Sequence, residues 1–391
     1  MDKLQTGIIR LVKSALTGEA VAIPADFDWN AALKTGKKHQ ILPMLCEGVA
    51  NSGIDLPPET AQTLETATAV HLFISQNQLY ALDEIYKAFD ESGIDYMPLK
   101  GAELKRIYPK PELRPMSDAD ILIRQTQYGQ IRPVMAALGY TEVLESDHEL
   151  VWDKKGALHL ELHKRLIPSY NKDYYAYYGD GWRFAQEAGG CRYAMRDEDN
   201  YVYLFTHYAK HYRDSGIGIR HMTDLFVFAA AHPQLDGAYV EAELEKLQLL
   251  TFYKNTRHTL AVWFDGETPD GMSDLITDRI FASGAYGTAA AHLLSAAVKA
   301  AGPDSDKNAV RTSVFLHRLF PPYKAMRGRY KCLKAHPALL PLMWILRFLQ
   351  APFRRGSIRR NVGQAKVTTP ENVIAYREAL EAVGLKYNFK E

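Results

Sequence analysis

Cysteine is scarce in this chain: three in 391 residues, Cys46, Cys191 and Cys332, far apart and in no CxxC or Cys/His pattern. That excludes a disulfide framework and a thiolate zinc site, and it fits a reducing, cytoplasmic setting. Long apolar runs are also missing. Ala338 to Leu346 is only nine residues, is broken by Pro341 and stops at Arg347, whereas a spanning helix needs about 20, so no transmembrane segment is expected. Met1 to Lys13 carries charges at Asp2, Lys3, Arg10 and Lys13, unlike a secretory signal, and export is not expected. Net charge is nearly absent, with 47 Lys plus Arg against 46 Asp plus Glu, and 47% apolar with 24% charged residues is globular composition.

One absence is local. From Lys307 to Thr369 there are fourteen Lys and Arg and no Asp or Glu, so the rest of the chain is net acidic. Such asymmetry points to a polyanionic partner for the basic stretch, whether nucleic acid, nucleotide or anionic lipid, nucleic acid not being favoured. Trp344, Phe348 and Phe353, followed by Arg354, Arg355, Arg359 and Arg360, suit a helix lying at a membrane surface. A helix packed on the body of the protein is the favoured expectation, since apolar helices of soluble chains are usually core.

What is present divides by period. Up to about Tyr86 the pattern is helical, with a long segment from Pro58 to Asp90 free of internal proline. Between Gly93 and about Trp182, short runs suit strands: Ile94 to Leu99, Asp118 to Ile123, Thr141 to Leu144, Leu150 to Trp152 and Leu158 to His163. Helices are expected between them at Ala102 to Tyr108 and Tyr128 to Leu138, and again at Tyr201 to Arg213, Arg220 to Ala231, Tyr239 to Phe264 and Ala289 to Ala301. The expected class is α+β: a small mixed sheet over 88–190, a helical module over 1–87, and a helical domain with the basic region over 191–391.

The stretch from Leu99 to Ile123 is the most informative. A strand ends at Lys100-Gly101, a helix follows, a proline-marked loop carries Arg114, and a strand opens with Asp118-Ala119-Asp120. Residues two apart on a strand share a face, about 6.6 Å apart, so the two carboxylates point the same way and repel. A divalent cation removes that conflict, and magnesium favours one or two carboxylates with substrate phosphates. The alternative is an acidic turn capped by Ser117 or Asp118, with Asp120 solvated. In Leu158 to His163 three leucines alternate with His159, Glu161 and His163. The polar face is either a solvated outer surface or a cleft wall, and in the second case Glu161 completes a three-carboxylate set able to hold two cations.

Taken together, LKGAELKRIYPKPELRPMSDADILI, LHLELHKRL, HYAKHYRDSGIGIRHMTDLFVF and RYKCLKAHPALLPLMWILRFL, with WNAALKTGKKHQILPML near the start, resemble the largely uncharacterised bacterial nucleotidyltransferase-like family of the DNA polymerase beta superfamily. The resemblance implies magnesium-dependent transfer of a nucleoside monophosphate from a nucleoside triphosphate, such as ATP, to an acceptor, with release of pyrophosphate. It implies that Asp118 and Asp120 hold the metals and that Glu161 is the third acid, a ligand or the base for the acceptor. It also implies that Gly101 admits the triphosphate close to the backbone, with Lys100 beside it and Arg114 neutralising phosphate charge. The acceptor is expected to be a small molecule or glycan-related. This sequence has Gly101-Ala102 where Gly-Gly or Gly-Ser is usual, and Glu161 where Asp is common.

His207 and His211 share a helix face. They suit a zinc pair with a third ligand such as Asp224 or Glu161; the resemblance implies instead that they and Asp224, with His163, face the cleft, as acceptor contacts or, the favoured reading, as a buried hydrogen-bonded cluster. Tyr170, Tyr174, Tyr175, Tyr177 and Tyr178 suit stacking on a base or an amphipathic surface segment. Two rival functions are a nucleotide-binding regulatory module without turnover and a nucleic-acid-binding protein using the basic stretch. The catalytic reading sets two conditions: Glu161 on the same side of the sheet as the aspartates, and no lysine ion-paired in the place meant for cations.

Overall fold

The structure, a computed structural model, describes residues 1–169, 171–302, 305, 307–321, 323, 326–327, 330–350 and 366–387, without the side chains at 307, 311, 314–315, 317–318 and 348. Tyr170, Phe353 and the arginines at 354, 355, 359 and 360 lie outside the described residues. Contacts divide the chain into two compact units: Met1–Lys210 with Ile217–Tyr286, and His211–Gly216 with Gly287–Lys390. The division at 87 and 190 follows changes of sequence period; this one follows packing.

The first unit opens with four helices, α1 (Lys3–Thr17), α2 (Trp29–His39), α3 (Leu42–Ser52) and α4 (Pro58–Glu91). Asp2 starts α1 with a capping box to Gln5, and α4 runs 34 residues from the proline at its first turn without another to break it. Then come β1 (Tyr96–Leu99), α5 (Gly101–Ile107), β2 (Asp118–Ile123), α6 (Tyr128–Ala137), β3 (Thr141–Glu145), β4 (Glu149–Asp153) and β5 (His159–His163). The strands form one five-stranded sheet in the order β1-β2-β5-β4-β3. Only β2 and β5 run parallel, the other neighbours being antiparallel.

Alternation gives the sheet two unlike faces. Ala119, Ile121 and Ile123 of β2, Leu160 and Leu162 of β5, and Leu150 and Trp152 of β4 are buried in one core with Leu82, Ile85 and Phe89 of α4 and Ile131 and Met135 of α6. Period two then sends Asp118 and Asp120, Glu161 and His163, and Glu149 to the opposite face. Burying the apolar set fixes the register, because a slip of one residue would drive the acids into the core.

The unit continues with α7 (Lys172–Tyr178), a short hairpin of β6 (Ala185–Glu187) and β7 (Tyr193–Met195), α8 (Asp197–Asp214), α9 (Ile219–Ala231), α10 (Gly237–Lys246), α11 (Leu250–Phe264) and α12 (Gly271–Ser283). The last turn of α8 falls in the second unit. The single helix expected over Tyr239 to Phe264 is two, because Gln248 adopts φ 57 and ends α10. Aromatic rings from α8 and α11 lock these two helices together: Tyr208 stacks on Phe252 at 5.3 Å, and Phe205 meets Tyr253 edge-on at 5.2 Å.

The second unit holds α13 (Ala289–Ala301), α14 (Lys307–Leu319), α15 (Cys332–Ala335), α16 (Leu340–Gln350) and α17 (Pro370–Ala382). Asp214 joins Lys299 at 2.8 Å and Arg213 at 3.1 Å. The carbonyl of Arg213 accepts from the hydroxyls of Tyr376 and Tyr387 at 2.7 and 3.2 Å. Among the described residues no helix is long and apolar enough to cross a membrane.

Candidate functional site

On the polar face of the sheet, Asp120 and Glu161 are direct partners in the β2–β5 register, and Asp118 sits two residues earlier on the same strand. Glu161 therefore stands on the same side as the aspartates. Ligand atoms of Asp120, Glu161 and His163 lie within 4.8 Å of one another, as do those of His148, Glu149 and His163. Neither group includes His207 or His211, half-buried residues one turn apart on α8.

The second condition is met at Asp118 and Glu161, which have no lysine ion pair among the described residues, but not at Asp120. Lys100 Nζ donates to Asp120 Oδ1 at 3.1 Å, and His163 Nε2 meets the same oxygen at 2.6 Å. His163 also lies 3.5 Å from Glu161 Oε2. Burial opposes ionisation of Asp120, yet Lys100 and His163 hold its carboxyl far below the usual range. Burial likewise opposes charge on Lys100 and His163, and Asp120 reverses this, so both pKa values are raised. Among the described residues Asp118 has no such ion pair: burial, then the negative charges of Asp120 and Glu161, push its carboxyl up. Lys100 is held with a left-handed φ of 44 at the turn from β1 to α5, a conformation that costs a lysine about 1–3 kcal/mol and persists because its surroundings fix it.

Gly101 and Arg114 belong to a second cluster. A Cβ on Gly101 would lie 2.8 Å from Arg114 Nη1 and 2.9 Å from Met116 Sδ, so the missing side chain makes room for the guanidinium. Arg114, 4% exposed, forms two bonds to Asp224 at 2.7 and 2.9 Å, and Tyr108 donates to the same carboxylate at 2.7 Å. Burial disfavours the Asp224 anion, but Arg114 outweighs it and lowers the pKa. The charge expected to face phosphate is thus engaged by Asp224, while Nη1 remains buried without a hydrogen-bond partner.

Three contributors were not anticipated from the sequence. His148 packs edge-on against His163 with ring centroids 4.5 Å apart, and burial followed by the charge on His163 drives its pKa down to about 2. Glu149 pairs with His163 in the β4–β5 register, and burial, then Glu161, raises its pKa. Tyr203 of α8, fully buried, is electrostatically coupled to Lys100 and Asp120. Extending the alternation of β5 across to β4 would have found Glu149; nothing local announces the other two.

The donor set is three carboxylates and an imidazole, and at one of the acids, Asp118, burial and the repulsion of Asp120 and Glu161 outweigh the attraction of Lys100 and Arg220. That chemistry fits a hard divalent cation. Among comparisons with known proteins, residues 25–265 match the family model described as an uncharacterised nucleotidyltransferase, which takes in the whole sheet. No curated protein matches the chain. The solution structure of the antibiotic-resistance factor ANT(2'')-Ia is similar at 15% identity, covering 47% of this chain and 94% of that one with a TM-score of 0.32. The chain belongs to the uncharacterised nucleotidyltransferase family, and its class of reaction is nucleotidyl transfer.

Proposed function

We propose that the chain transfers a nucleoside monophosphate from a nucleoside triphosphate to a hydroxyl-bearing small-molecule or glycan-related acceptor, with Asp118, Asp120 and Glu161 holding magnesium. The observation that carries this reading is the register of Asp120 with Glu161 on parallel strands, with Asp118 on the same face. Bound there, magnesium would neutralise phosphate charge and favour ionisation of the attacking hydroxyl. The acceptor oxygen bonds to the α-phosphorus, the bond to the bridging oxygen breaks, and pyrophosphate leaves with that electron pair. Glu161, half-buried on β5, is the acid placed to receive the hydroxyl proton. Lys100, one residue before Gly101, is paired with Asp120 and supplies charge to the phosphates when it leaves that acid.

The test is pyrophosphate release from triphosphates in magnesium, with a panel of hydroxylated acceptors. Asp118→Asn should abolish release while leaving the melting temperature near that of the parent. The Lys100–Asp120 pair favours a second reading, a module that binds nucleotide without turnover. In that case triphosphate raises the melting temperature by the linkage amount and no acceptor yields pyrophosphate.

A further inference from the structure

The second unit carries a helix that is apolar on both faces. On one face of α16, Met343 is 8% exposed and packs with Met326 and Leu333, and Trp344 and Leu346 pack against this cluster. The indole N–H of Trp344 donates to Pro321 O at 2.9 Å, and Phe320 meets the same indole at 5.2 Å. On the other face stand Leu342, Ile345 and Leu349, at i, i+3 and i+7, with exposures of 54%, 57% and 65%. Phe320 and Leu316 at the end of α14, and Leu339 just before α16, are exposed as well. A helix hydrophobic all round is ordinarily buried in a core or a bilayer. This one is eleven residues long, too short to span a membrane, which takes about 20.

We infer that α16 and the end of α14 form a membrane-surface docking site, with Leu342, Ile345 and Leu349 entering the headgroup boundary of an anionic bilayer. Charge selects the occupant. The sequence from Lys307 to Thr369 contains fourteen bases and no acid, and described members such as Lys331 and Lys334 are exposed on α15 and its approach. A stretch of sequence so biased attracts anionic headgroups and disfavours pairing with a second copy of itself. Nucleic acid would satisfy the bases but gives no burial to the leucines, whereas a bilayer satisfies both. The site is independent of the acid cluster on the sheet.

The experiment is flotation of the full chain with vesicles of phosphatidylcholine alone and of phosphatidylcholine with phosphatidylglycerol. Binding is expected to the anionic vesicles and at least tenfold less to the neutral ones. The neutral triple variant Leu342→Ser, Ile345→Ser, Leu349→Ser, which alters no charge and only exposed positions, should reduce that binding at least tenfold with an unchanged melting temperature. Failure to bind anionic vesicles, or equal binding by parent and triple variant, overturns the proposal. So does a parental dimer on gel filtration that the variant dissolves without any vesicle binding, or salt-sensitive capture of RNA in place of vesicles.

Discussion

Lys100 Nζ and His163 Nε2 converge on a single oxygen of Asp120, at 3.1 and 2.6 Å. Without a cation, these two bases make the acid cluster tolerable, and Lys100 is therefore a competitor for the position a divalent ion would take. Removing one partner of a buried pair leaves the other uncompensated, at about 3–5 kcal/mol. Lys100→Met should lower unfolding stability by that order in chelator. Magnesium should then raise the melting temperature of the variant more than that of the parent. Equal increments in both proteins would mean that Lys100 does not compete.

Arg114 and Asp224 make the same argument for folding. Both are buried, and their two bonds join the loop before β2 to α9. Asp224→Asn weakens the only carboxylate that Arg114 is bonded to among the described residues. A loss of about 3–5 kcal/mol in urea unfolding is expected. A stable variant with only a raised KM for triphosphate would return Arg114 to phosphate binding.

Gly101→Ala adds a methyl 2.8 Å from Arg114 Nη1 and 2.9 Å from Met116 Sδ, and overpacking of this kind costs about 1–3 kcal/mol. Calorimetry of this variant, set beside the exposed Gly237→Ala, where a Cβ meets nothing within 4 Å, isolates crowding from helix propensity.

Stability should fall on acidification because of a histidine far from the acids. His39 is fully buried, facing Phe281 O with Nε2 at 3.2 Å and accepting from the Ile219 N–H at 3.3 Å. Burial lowers its pKa from 6.5 to about 4. The unfolded chain therefore binds more protons between these values, so stability is complete above pH 6.5 and declines toward pH 4. The slope is about 1.4 kcal/mol per pH unit for this one group. His39→Gln should flatten urea midpoint against pH by about one proton over that window; an unchanged slope would assign the acid sensitivity elsewhere.

Much of the sheet was legible because period two is a local property. The alternation in Leu158 to His163 separates leucines from His159, Glu161 and His163 before any partner strand is known, and the five expected runs coincide with β1 to β5. The hairpin of β6 and β7 has three residues per strand, too few to show a period. Side-chain partners were harder to read. Arg114 and Asp224 are 110 residues apart, and the position of Lys100 depends on a left-handed backbone that only the packed turn enforces. The family resemblance implies Lys100 beside phosphate, and its ion pair with Asp120 is a contact that no local pattern announces.

The most direct measurement is Mn²⁺ titration, followed by electron paramagnetic resonance, of the parent and of Asp120→Asn and Glu161→Gln, with and without a non-hydrolysable triphosphate. The account predicts cation binding by the parent that triphosphate strengthens and that either substitution weakens at least tenfold. Parental binding that is absent, or that both variants retain in full, would contradict a metal site at these acids and leave Lys100 as the permanent partner of Asp120.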